Sequence, residues 1–126
     1  RQTMEDAYEW MMTNTKTWLV LALLAHTALG IVGNATGYDG NVDDILAGLG
    51  LLALISVFLA YAAFFTEGRE QARLAAVICG SVFVWFVVCM TLGLEFMSNT
   101  FAFEEIVPAL MIWGVPALVG VLNWNN

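Results

Sequence analysis

The chain has 126 residues, 60% of them hydrophobic and only 12% charged, with a net charge of −7. A soluble domain carries about 25% charged residues, so this composition excludes a soluble catalytic domain and points to lipid as the solvent. Eleven acids against Arg1, Lys16, Arg69 and Arg73 exclude both a nucleic-acid footprint and a polybasic patch for anionic lipid headgroups.

Four apolar runs predict an all-α integral membrane protein. It is read as one membrane domain over residues 1–126, a bundle of four transmembrane helices at about 17–33, 45–65, 74–94 and 106–122. The sequence opens on Arg1 rather than Met, so either a leader has been removed or the numbering starts inside a longer product.

Residues 1–17 mix Tyr8, Trp10, Met11 and Met12 with Glu5, Asp6 and Glu9, which predicts a short helix lying in the membrane interface. Trp18 marks the boundary, as interfacial aromatics do. The first run, Thr17–Gly33, rises about 25 Å as a helix, short for a bilayer core of about 30 Å. It is expected to begin a turn earlier or to sit where the bilayer is thin.

Residues 34–44 form a turn-rich acidic loop with Gly37, Gly40 and Asn41. Asn34-Ala35-Thr36 matches the glycosylation pattern, but so close to the bilayer that modification is not expected. Asp43 and Asp44 open the second span and complement its dipole. Ala47, Gly48, Gly50 and Ala53, then Ala60, Ala62 and Ala63, are small residues of the kind that let helices approach closely in lipid.

The loop 66–73, TEGREQAR, carries two cations and a turn glycine. The third span holds Cys79 and Cys89, ten residues and about 280° of helical rotation apart, so they are read as unbridged packing residues. Residues 95–105 form a second acidic loop whose Phe96, Phe101 and Phe103 are expected to dip into the interface. The fourth span places Pro108 in its first turn, where it costs little, and Pro116 in its interior, where a kink is expected. Trp124 follows as an interfacial anchor.

The cations lie only in the lead and the second loop, whereas the first and third loops carry only acids. By the positive-inside rule both termini are expected on the cytoplasmic side, or its stromal or matrix equivalent.

His26 is the one ionisable side chain well inside a span and therefore the candidate functional residue. An imidazole there serves as an axial ligand to haem or chlorophyll, as a contact to a quinone or lipid, as part of a proton path, or as a structural hydrogen bond to Thr27, Ser56, Tyr61 or a backbone carbonyl. Ala22, Gly30 and Gly33 fall at helical spacing from His26, on a face suited either to a flat macrocycle or to close packing. A six-coordinate haem needs a second ligand, and no spacing forces Met11, Met12, Met90, Met97 or Met111 towards His26.

No acid lies inside a span, no pair of broken helices marks a transport site, and no motif for metal, nucleophilic or phosphate chemistry is present. Glu104-Glu105 is an exposed pair. The expected function is thus a non-catalytic accessory subunit of a larger membrane complex, of electron-transfer or photosynthetic kind, with other membrane subunits and bound lipid as partners. Two alternatives stand beside it: a haem- or chlorophyll-binding subunit using His26, and a small transporter or membrane enzyme for a lipid-soluble substrate.

Overall fold

The computed structural model describes residues 2–37, 40–96 and 99–126. Arg1, Asp39 and Met97 lie outside them. Five helices build the molecule: α1 (Gln2–Thr13), α2 (Thr15–Gly37), α3 (Val42–Phe64), α4 (Gly68–Leu92) and α5 (Phe103–Leu122). Between α4 and α5, the two-residue strands β1 (Glu95–Phe96) and β2 (Asn99–Thr100) pair antiparallel, with Glu95 opposite Thr100. Helices α2 to α5 are each long and apolar enough to cross a bilayer. The chain is a multi-pass, all-α membrane bundle.

The helices outrun the apolar runs that announce them. Helix α2 spans 23 residues from Thr15, about 35 Å at α-helical rise, which removes the apparent shortness of the first run. Helix α4 starts at Gly68, not near residue 74, so Arg69 and Arg73 sit on its opening turns and only residues 65–67 connect it to α3. An extended Glu67 and a left-handed Gly68 at φ +63° reverse the chain there. Helix α5 starts at Phe103, which puts Pro108 in the second turn, where the missing N–H deprives the Glu104 carbonyl of its usual donor. The helix continues through Pro116 without a break.

The ends are closed by named groups. The Asn41 side chain accepts from the Asp43 backbone N–H at 2.9 Å, an N-cap for α3. Gly93, at φ +64°, ends α4 in a Schellman turn: its N–H donates to the Met90 carbonyl and that of Leu94 to the Cys89 carbonyl. At the end of α1, Trp18 Nε1 donates to the Met11 carbonyl at 2.7 Å, and Asn123 Nδ2 donates to that of Met12. Helix α1 is therefore pinned to both α2 and the end of α5.

Consecutive spans pack side by side, α5 returns to α2, and the α4–α5 contact is the most extensive. Both termini and the α3–α4 turn share one end, the termini end. The opposite end holds the α2–α3 and α4–α5 connections. The buried core, Leu19, Ala22, Leu59, Ala62, Ala63, Ala75, Cys79 and Trp113, lies almost wholly in the termini half. Small residues make that half tight, and packing contacts rather than water exclusion hold it in lipid. Gly120 marks the closest approach: a Cβ there would stand 2.7 Å from the Ala76 backbone nitrogen and would collide with the Ala72 carbonyl. Cys79 and Cys89 are both buried and unbridged.

No more than 28% of any span's apolar window is buried. Many apolar side chains, Leu51, Val57, Val84 and Met111 among them, consequently face outward, as they do on helices surrounded by lipid. On α3 the expected small-residue packing divides. Ala62 and Ala63 are buried in the core, whereas Ala47 and Gly50 face outward.

Candidate functional site

Where the termini half is packed, the opposite half opens into a cleft, with Leu29 and Trp85 of its lining exposed to the outside. A cavity of about 690 Å³ is bounded by all four spans, within the size range of small-molecule sites. His26, Leu52 and Trp113 line it where it meets the packed core, and Asn34, Phe101 and Glu105 line it toward the far end. Along α5, from Trp113 to Glu105, the wall rises about 12 Å. Most of the lining is apolar or aromatic, including Ile55, Val82, Trp85, Phe86 and Ile112.

His26 is buried, and local geometry fixes its ring. From His26 to Val32, α2 widens into a π-helix, a form that occurs mostly as short segments and frequently at functional sites. Two polar contacts tie this segment to α3. His26 Nε2 lies 2.8 Å from the Leu52 carbonyl, and Thr27 Oγ1 lies 3.0 Å from Ser56 Oγ. The ring also stands edge-on to Trp113, with centroids 5.3 Å apart and planes at 72°. Such an aromatic pair contributes about 0.5–1.5 kcal/mol beyond area burial.

The partner of Nε2 settles the tautomer. A carbonyl only accepts, so Nε2 carries the hydrogen and donates it to Leu52. In the neutral ring Nδ1 is then the acceptor. Gly30 makes room beside it: a Cβ at Gly30 would stand 3.2 Å from Nδ1. Among the described residues, no enclosed side-chain nitrogen or oxygen lacks a hydrogen-bond partner. Neither His26 Nδ1 nor Trp113 Nε1 has such a partner, so neither is enclosed, and both residues line the cavity. A residue with a ring acceptor and a residue with a ring N–H donor thus stand side by side where the cavity meets the core.

Of the hydrogen-bond partners weighed for His26, the structure selects a backbone carbonyl, that of Leu52. Thr27 and Ser56 bond to each other instead. The face expected from Ala22, Gly30 and Gly33 is divided. Ala22 is in the core, Gly30 lies beside the imidazole, and the wider π turn carries Gly33 off that face to an exposed position. For a macrocycle metal, Nε2 is committed to Leu52 and Nδ1 is the remaining lone pair. Among the described residues the lining contains no methionine, cysteine or second imidazole, and no cluster of metal-binding side chains occurs.

Two lining residues carry no signal in the sequence. Phe101 packs on Phe86 at 5.6 Å between centroids and closes part of the wall. Asn34, read as part of a loop, is on the last turns of α2, with its side-chain amide donating to the Gly30 carbonyl. That interaction and the helical backbone disfavour glycosylation at Asn34. Comparison with protein-family models, with curated proteins and with solved structures returned no match to this chain.

Proposed function

We propose that this chain is a non-catalytic membrane protein that holds a lipid-soluble small molecule in the cavity over His26. One observation carries this reading: a cleft of about 690 Å³, open on one side, is bounded by all four spans of a bundle whose other half is packed, and its wall is apolar with few polar groups. Apolar walls with a small number of placed polar atoms are the usual form of a ligand site. Catalysis has little to work with, because His26 already spends Nε2 on Leu52 and the other ionisable lining residue, Glu105, stands at the far end.

The test is to solubilise the full chain mildly, extract it with organic solvent and identify what came with it by mass spectrometry. A near-stoichiometric apolar molecule is expected from the native chain, and an Ala109→Trp variant, which fills the cavity, is expected to lose it. Equal recovery from both chains would remove the cavity from the role. An absorption spectrum of the same sample covers the haem and chlorophyll alternatives.

A second reading is favoured by a separate observation. Ala47 and Gly50 face outward on α3, and a Cβ at Gly50 would meet nothing within 4 Å. Such a face accepts a helix from another chain, as an accessory subunit of a membrane assembly would. A lone monomer after gentle extraction, with no co-purifying protein, would count against it. For sidedness we infer that the termini are cytoplasmic, since Lys16, Arg69 and Arg73 all lie at the termini end. A cysteine placed at Asn126 in a chain lacking Cys79 and Cys89 should then resist impermeant maleimide in intact cells and react in inverted vesicles.

A further inference from the structure

His26 and Trp113, which meet edge-on at the inner end of the cavity, define what it recognises. This rests on the ligand-binding reading above and narrows it. We infer that the cavity takes an apolar molecule whose head is a phenolic hydroxyl, bound where His26 and Trp113 meet. A hydroxyl gives one hydrogen and accepts another. It donates to Nδ1, whose lone pair is exposed because Leu52 holds the ring hydrogen on Nε2. It accepts from the indole N–H of Trp113, whose ring stands edge-on to the imidazole and lines the same cavity. A carbonyl or an ether oxygen has no hydrogen to give, and would set its lone pairs against that of Nδ1. Trp85, Phe86, Phe101 and Trp113 line the same space, and aromatic walls favour a ring over a bare alkyl chain. Gly30 keeps the acceptor open, because any side chain there would cover it.

The chain contains a single histidine, so its two imidazole nitrogens can be followed by ¹⁵N NMR without ambiguity. The full-length protein in lipid nanodiscs is titrated with an alkyl hydroquinone, the quinone with the same tail, the dimethyl ether of that hydroquinone, and dodecanol. Before addition, Nε2 should read as protonated and Nδ1 as the bare nitrogen. Hydroquinone should move the Nδ1 resonance and bind about tenfold more tightly than the ether or the quinone, one net hydrogen bond's worth of discrimination. Gly30→Ala should abolish that preference, so that hydroquinone and ether bind equally.

Equal binding of hydroquinone and ether, with Nδ1 unmoved, would overturn the hydroxyl assignment and leave the cavity reading standing. A free chain with Nδ1 protonated would overturn it too. Dodecanol matching hydroquinone would overturn the aromatic part. If none of the four probes binds, the ligand-binding reading itself falls.

Discussion

Gln71 shows how much one buried polar side chain does here. From the second turn of α4 its amide reaches across the α3–α4 turn and donates to the carbonyls of Ala62, Ala63 and Thr66 at 3.0–3.1 Å. The Ala62 and Ala63 carbonyls belong to the end of α3, where the helix has run out of its own N–H groups, and that of Thr66 to the connection that follows. Thr66 Oγ1 adds a second donor to the Ala62 carbonyl at 2.6 Å. Replacing Gln71 by methionine keeps the volume and removes the donor. The variant should lose about 1–3 kcal/mol, the cost of stranding buried acceptors. Denaturant unfolding in detergent micelles checks this, and an unchanged midpoint would show that water or lipid headgroups satisfy the carbonyls.

At the scale of elements, the two glycine-rich faces make opposite predictions. Gly120 on α5 lies against the backbone of Ala72 and Ala76, so even a methyl group collides with main chain, which yields little. Gly120→Ala should separate α4 from α5 and cost about 1–3 kcal/mol, with Gly120→Leu worse. Gly50→Ala on α3 meets nothing and gains helix propensity, up to about 1 kcal/mol. Thermal unfolding of the variants side by side tests the contrast, and equal effects would refute the α4–α5 contact.

The same comparison explains how far the sequence could be read. Four spans, a helical lead and unbridged cysteines follow from hydropathy and spacing, which are local properties. His26 stands out by its type alone. Which glycine is pressed against a neighbour depends on how helices rotate about their axes, and four nearly all-apolar helices leave that rotation unwritten. The π turn at His26–Val32 is equally silent: the contacts it makes, with Leu52 and Ser56, are to another helix. Phe101 and Asn34 join the cavity only through that tertiary arrangement.

Over the whole molecule, a filled half and a hollow half should differ in local stability. The termini half holds Leu19, Leu59, Ala75 and Val119 with no exposed surface, and is cross-tied by Gln71 and Asn123. The far half has the cavity, the π turn with its longer-period hydrogen bonds, and the β1–β2 turn. Regions with few packed contacts open at lower free energy than the core they adjoin. Hydrogen exchange in nanodiscs should therefore be faster in peptides covering residues 26–37 than in those covering 57–64 or 113–122. A ligand in the cavity stabilises only the states that keep the cavity formed, by an amount set by its concentration relative to Kd. Saturating hydroquinone should accordingly slow exchange at residues 26–37 and 105–112 and leave 57–64 where it was. Uniform exchange without ligand would contradict the division into halves. Uniform slowing with ligand would mean that the molecule responds as one cooperative unit, with the packed half opening only when the cavity does.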